Sequence, residues 1–290
     1  PDLVDEVRAR RSAGATARRA RAVLTGFDER PDEPRAGEPY AGGLLGWLAV
    51  MRGCDLNCTF CIVPSVRGRV LSRPLAELVD EARWMVDQGA RVVTLLGQTI
   101  NSYGEDLPGP GSGEPWLTGR GGRAGLADLL RALQELPGLA RIRLITLHPA
   151  YVTPALGEAI RDCPKVDRFL PLPAQSGSDR VLKAMKRGYT VDLYRRRLDL
   201  LRTAVPDLEI GSDWIAGFPG ETEEDHAASE RFLEELGPAV SYVFKYDPRP
   251  GTRAAERDDD VPLAVKQQRN QRLLAAGERA ALARMRRHVG

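Results

Sequence analysis

Cysteine, histidine and aromatic residues are all scarce in this chain: four cysteines, three histidines and 6% aromatics in 290 residues. Four cysteines are too few for a disulfide scaffold, and three of them, Cys54, Cys58 and Cys61, fall within eight positions. Clustered cysteines in a reducing compartment suggest a metal. No stretch approaches the roughly 18 consecutive apolar residues that span a bilayer, and the N-terminus lacks the apolar core of a secretory signal. A soluble, cytoplasmic protein with no membrane partner is expected. The formal charge of +2 is too small for a general polyanion binder, although arginines gather at Arg8, Arg10, Arg11, Arg18, Arg19 and Arg21 and again at Arg284, Arg286 and Arg287. Such runs are usually solvated helix faces, so charge alone does not establish RNA contact.

What is present is a core-sized apolar fraction, 42% of the chain, enough for one α/β barrel. Residues 1–42, rich in Arg, Pro, Glu and Asp and broken by Pro31, Pro34 and Pro39, read as a linker. From Leu44 an apolar run (Leu45, Trp47, Leu48, Val50, Met51) ends at Gly53-Cys54, as a buried strand delivering a cysteine loop would. After Pro74, Leu75, Leu78, Val79, Ala82, Met85 and Val86 recur at helical spacing, and a strand follows over 91–96. The alternation continues with a glycine-rich loop around 108–122, a helix near 125–136, and strands near 141–147 and 167–173 with a helix near 153–162 between them. Helical stretches near 179–204 follow, then strands near 208–216 and 240–246 with a helix near 223–236 between them.

Six strands separated by helices predict parallel βαβ units, curled into a barrel or an open doubly wound sheet. No GxGxxG opens the first βα turn, which disfavours a dinucleotide-binding version. The boundaries are a linker over 1–42, the barrel domain over 43–255 and a C-terminal helical segment over 256–290, whose charged helix has nothing after it to pack against.

Three thiolates on one CxxxCxxC loop can bind three irons of a [4Fe–4S] cluster, whereas electron-transfer ferredoxins close the cluster with four. The fourth iron then stays open, as a catalytic zinc keeps one position for substrate. An open iron can chelate an amine and a carboxylate, and S-adenosylmethionine (SAM) carries that pair on its methionine end. Two plainer readings remain. A structural zinc would want a fourth ligand nearby, yet the nearest histidine is His148, and a Cys58/Cys61 redox pair leaves Cys54 unexplained. Cys163, before Pro164, reads as a small core hydrophobe.

At CDLNCTFCIVPSVRGRVLSRP (54–74) the chain resembles the radical SAM methylthiotransferases. Further blocks of that family recur in order: LLGQTINSYGEDL (95–107), RIRLITLHP (141–149), PAQSGSDRVLKAMKRGYT (173–190), SDWIAGFPGETEEDH (212–226) and FKYDPRPGT (244–252). The resemblance covers about residues 30 to 290 and is greatest to the MiaB-type branch, which makes 2-methylthio-N6-dimethylallyladenosine in tRNA. It implies a partial (β/α)6 TIM-like barrel of the radical SAM type, with a [4Fe–4S] cluster on Cys54, Cys58 and Cys61 and SAM under the C-terminal ends of the strands. The implied reaction adds a methylthio group to C2 of N6-dimethylallyladenosine 37 in tRNA. The alternatives are methylthiolation of threonylcarbamoyladenosine in tRNA and a non-catalytic iron–sulfur RNA-binding module. The branch acting on a ribosomal protein usually differs where this chain has Gln175-Ser176-Gly177-Ser178.

The resemblance also implies a tRNA partner, a reducing donor such as flavodoxin or ferredoxin, and a second [4Fe–4S] cluster on an N-terminal domain, which together with an RNA-gripping C-terminal domain is not found here. A monomer is expected, and 1–42 resembles the linker leaving that N-terminal domain. Within the site, Phe60 is expected to pack on the cluster or the adenine, and Gln98 to sit near the methionine end of SAM or satisfy a loop. Gln175 and Ser176 are placed to hydrogen-bond ribose or carboxylate, and Ser178 either joins them or caps the next helix. Asp213, inside an apolar strand, requires a partner in the cofactor or a barrel arginine. His148 either faces the site or is a hydrogen-bonded structural residue. Thr222 with Asp225 resembles a capping box, before which 217–220 forms a turn that is scaffold or an adenine shelf. Three positions depart from the family pattern, Thr99, Leu147 and Pro171, none of them expected to touch the cluster ligands.

Overall fold

A computed structural model describes residues 43–108 and 122–286. The expected linker over 1–42 lies outside those residues, as do most of the expected glycine-rich loop and residues 287–290.

The parallel strands are β1 (Leu45–Ala49), β4 (Val92–Leu96), β5 (Arg141–Leu144), β6 (Phe169–Pro171), β7 (Glu209–Ala216) and β8 (Val240–Lys245). Their hydrogen-bonded order is β1-β4-β5 and β6-β7-β8. A parallel bridge between Ile142 and Val166, just upstream of β6, joins the two halves into one arc. Among the described residues β8 does not pair with β1, so the expected partial barrel is an open arc. Short β2 (Met51–Arg52) and β3 (Leu71–Ser72) pair antiparallel and frame the cysteine loop.

The helices are α1 (Val63–Arg67), α2 (Leu75–Asp87), α3 (Leu126–Gln134), α4 (Pro154–Asp162), α5 (Asp179–Ala184), α6 (Val191–Ala204), α7 (Glu223–Leu236) and α8 (Leu263–Met285). They form where the apolar spacing predicts: α2 buries Leu78, Ala82, Met85 and Val86, one stripe of a 3.6-residue period. Thr190 caps α6 by accepting from Leu193 N–H (3.1 Å), and Thr222 with Asp225 forms the expected capping box on α7.

All the helices that pack on the arc lie on one face of it. Leu48, Val93, Leu95, Ile142, Ile210 and Trp214 are fully buried there, and Trp214 meets Phe232 of α7 edge to face, 6.0 Å between ring centres. Cys163 joins the same core, as expected of a small hydrophobe. The alternate residues point to the helix-free face. Trp47 pairs with Thr94 and Thr94 with Arg143; Asp213 pairs with Tyr242 and Ile215 with Phe244.

The helical stretches expected over 179–204 are α5 and α6, divided where Lys186 and Gly188 both take left-handed φ, +54° and +70°. Two expectations need correction. The run from Leu44 is not uniformly buried, because β1 is an edge strand whose Leu45 and Trp47 face the open side and are 43% and 51% exposed. The charged C-terminal helix folds back onto the arc. There α8 buries Leu273, Ala276 and Ala280, while Arg269 pairs with Glu221 (2.9 Å), Arg272 with Glu230 (2.5 Å) and Arg284 with Glu209 (2.6 Å). Gly277 lets it approach closely, for a Cβ there would stand 2.8 Å from Ser241 Cβ.

Candidate functional site

Strand β2 ends at Gly53, where φ is +70° and a Cβ would lie 1.9 Å from the Arg69 carbonyl, so only glycine permits this turn. Cys54 N–H then donates to the Gly68 carbonyl (3.1 Å). Thr59 fixes the far side of the loop: its N–H donates to Met185 O (2.9 Å), its hydroxyl to Ala184 O (3.0 Å), and its carbonyl accepts from Ala254 N–H (2.8 Å). The loop thus hangs between the end of α5 and residue 254, with Asp55 clamped on Arg69 by paired bonds of 2.6 and 3.0 Å.

Cys54 and Cys58 are buried and Cys61 partly so, all three as free thiols. Burial first, then the neighbouring Cys58 and Cys54 sulfurs, pushes the Cys61 thiol pKa up. Such crowding is relieved when cations bind and the thiols ionise. Among the described residues no His, Cys, Asp or Glu group is arranged to hold a single metal ion. A cavity of about 820 Å³ opens beside Cys54, bordered by Asp55, Asn57, Arg52, Arg67 and Arg69.

The expected residues distribute unevenly around this loop. Phe60 packs against the small apolar cluster of Val181, Met185, Phe218 and Tyr246. Gln98 follows β4, and its Oε1 is buried without a protein partner. Gln175 has a left-handed φ of +65°, and its main chain is bonded on both sides to β7, to Asp213 O (2.8 Å) and from Ile215 N–H (3.0 Å). Gln175 therefore lies alongside Asp213. Ser176 turns inward instead: its hydroxyl meets that of Ser229 (3.2 Å) and accepts from Ser178 N–H (3.2 Å). Ser178 caps α5, accepting from Val181 N–H (3.4 Å) and donating to Asp225 (2.5 Å). Asp213 has its pKa raised by burial and opposed by the charge of Arg187, which lies in the connection between α5 and α6.

Two side chains carry more than their sequence suggested. Thr99 Oγ1 stands 3.7 Å from Cys54 Sγ, so one departure from the family pattern does touch a cysteine of the triad. Arg187, which the sequence singled out for no role, donates from Nη1 to Cys58 Sγ (3.1 Å) and from Nε to Tyr189 Oη (3.3 Å). Burial disfavours its charge, but Tyr189 and Cys58 outweigh that and raise its pKa. The only sequence signal was an arginine beside glycine at the break between two helical stretches. His148 is hydrogen-bonded in its own turn: Nδ1 accepts from Ala150 N–H (3.3 Å), and the ring is buried against Tyr151 and Tyr189. Burial depresses its pKa to about 3, so the ring is neutral.

The sequence model of the Radical SAM superfamily matches residues 48–233, from β1 to α7. The chain belongs to the radical SAM superfamily. Membership implies a [4Fe–4S] cluster and SAM as cofactors, and the expected resemblance to the methylthiotransferases holds across most of the chain. It is similar to the tRNA-2-methylthio-N(6)-dimethylallyladenosine synthase of Chloroflexus aurantiacus, 43% identical over 84% of this chain and 50% of that protein. The protein of the same name from Xanthomonas campestris is 40% identical over 94% of this chain and 54% of its own length. The chain thus spans about half the length of the curated relatives it matches. Among solved structures, the radical SAM enzyme HemN of Escherichia coli superposes with a TM-score of 0.59 at 17% identity, covering 83% of this chain and 54% of that one. TsrM of Kitasatospora setae, a radical SAM methyltransferase solved with cobalamin and a [4Fe–4S] cluster, gives 0.57 at 20% identity, covering 73% and 38%. At such identities these neighbours show the radical SAM fold alone.

Proposed function

We propose that this chain is the radical-generating part of a tRNA methylthiotransferase that adds a methylthio group to C2 of N6-dimethylallyladenosine 37. The observation that carries the reading is the three-cysteine loop after β2, with Thr99 against Cys54 and Arg187 against Cys58. The level of identity to the two synthases supports the methylthio chemistry.

In this reading Cys54, Cys58 and Cys61 hold three irons of the cluster, leaving the fourth for the amine and carboxylate of SAM. Reduced and bound, the cluster with SAM supplies a carbon-centred radical able to take hydrogen from an unactivated C–H bond. The chain's own residues position and shield. Gln98 Oε1 accepts from the methionine end, and Asp213 accepts from donors on the helix-free face, with Gln175 beside it. Ser176 serves by fixing the turn that carries Gln175. Phe60, seated on Phe218 and Met185, keeps water from the loop, which strengthens every charge interaction inside it.

Residues 43–255 form the catalytic domain in this reading, and 256–290 lead from it. The methylthio sulfur would come from a second cluster, for which this chain offers no further cysteine triad. The partners are a tRNA and a low-potential one-electron donor such as flavodoxin or ferredoxin, in the cytoplasm, with the protein as a monomer. Among the described residues no helix is long and apolar enough to cross a membrane.

Anaerobic reconstitution with iron and sulfide should give a brown protein that forms 5′-deoxyadenosine from SAM when reduced, and Cys58→Ala should remove both properties. A colourless protein holding one zinc, or a cluster lost on Cys163→Ala, would overturn the reading.

A further inference from the structure

Arg187 sits in the short connection between α5 and α6, flanked by Lys186 and Gly188 in left-handed conformation, and this double turn drives its side chain inward. The residue is only 7% exposed. Its guanidinium is held at both ends. Nη1 donates to Cys58 Sγ at 3.1 Å, across 129 residues of sequence, and Nε donates to Tyr189 Oη at 3.3 Å. Tyr189 is itself fixed: its hydroxyl lies 2.9 Å from Ala174 O and 3.1 Å from Pro173 O, and its ring meets His148 edge-on at 5.2 Å between centres. The guanidinium carbon stands 5.4 Å from the same ring centre. A rotamer-rich, permanently charged side chain is therefore immobilised with one N–H aimed at a sulfur, an arrangement that packing alone does not require.

We propose that Arg187 sets the reduction potential of the cluster bound by Cys58. The inference rests on the triad holding a [4Fe–4S] cluster. When an external one-electron reductant delivers an electron, the cluster gains one negative charge and each cysteinyl sulfur becomes a stronger acceptor. An N–H donor and a positive charge at Cys58 Sγ stabilise the reduced form more than the oxidised one, raising the midpoint. Tyr189 is the positioning residue, since its hydroxyl fixes the Nε end and hence the angle at which Nη1 meets the sulfur.

The test is a potentiometric titration of the reconstituted 290-residue protein without SAM, followed by the electron paramagnetic resonance signal of the reduced cluster. Arg187→Gln, at parental iron content, should lower the midpoint by at least the 59 mV equal to a tenfold change in a one-electron constant. Arg187→Lys, which keeps the charge but not the fork, should fall between, and Tyr189→Phe should move the midpoint the same way by less. Midpoints within twofold of the parent in the one-electron constant would overturn the proposal, even if SAM affinity fell. If Arg187→Gln fails to fold, Arg187→Lys and Tyr189→Phe decide on the same criterion. A colourless parent would instead refute the cluster reading, so the two failures are distinguishable.

Discussion

The two faces of the strand arc obey different rules. On the helix-covered face Leu48, Val93, Leu95, Ile142, Ile210 and Trp214 are fully buried in one largely apolar core, with few polar groups such as Ser212 and His226 among them. The helix-free face carries Trp47, Thr94, Arg143, Asp213, Tyr242 and Phe244, and its three aromatics are 51%, 53% and 56% exposed. One face stores stability through close packing. The other keeps polar, charged and aromatic groups accessible beside the cysteine loop, at the cost of burying an acidic group in Asp213. A domain that used both faces for packing would close its own site, and one that opened both would not fold.

The sharpest break of this comparison is Trp214→Ala, which should cost about 3–5 kcal/mol, the usual loss for deleting a fully buried aromatic side chain. Urea unfolding should show the midpoint falling with an unchanged slope. Trp47→Ala, the same deletion on the open face, should shift stability by less than about 0.5 kcal/mol. Equal costs at the two tryptophans would abolish the distinction between the faces.

Next in size is an acid effect on the covered side, which adds to that of buried His148. His226 of α7 is fully buried, and burial depresses its pKa to about 4 from an ordinary 6.5. The unfolded chain therefore binds a proton that the native chain refuses between about pH 6.5 and 4. The stability this neutral ring allows is complete above pH 6.5 and is lost as pH falls through that window, about 3 kcal/mol in all. Urea midpoints measured at pH 7 and pH 5 should therefore differ, and the difference should shrink in His226→Gln. An unchanged pH dependence would show that another group controls the acid limb.

The comparison also explains which parts of the molecule were legible in its sequence. The alternation of strands and helices was, because period-2 and period-3.6 patterns are local and the helix-covered face is largely apolar. Strand β1 misled: Leu45 and Trp47 look like core residues, and nothing in the run from Leu44 to Met51 says that its neighbour on one side is open space. Helix α8 hid its docking for the opposite reason. It buries small residues and seats Arg269, 6% exposed, on Glu221 of a distant turn, so its apolar stripe is faint. The cysteine triad was legible because its three members share one loop. Arg187–Cys58 and Thr99–Cys54 were not, because each contact is created by the tertiary fold and joins residues 129 and 45 positions apart.

The smallest expected effect on stability sharpens the comparison most, because its sign is opposite. Asp213 interrupts an apolar strand, burial raises its pKa, and only the charge of Arg187 offsets that cost. Asp213→Asn keeps the shape and removes the charge that burial penalises, so it should leave stability unchanged or raise it by up to about 1 kcal/mol. Function should move the other way. Retention of SAM by the reconstituted protein should weaken about tenfold, equivalent to about 1.4 kcal/mol, because the carboxylate accepts from the ligand more strongly than an amide does. Tyr242→Ala on the adjoining strand serves as the control, exposed and expected to leave stability within about 0.5 kcal/mol. A gain in stability with a loss in binding at Asp213 would show that the open face is kept suboptimal for folding. A loss of both would make Asp213 part of the scaffold and erase the contrast with the covered face.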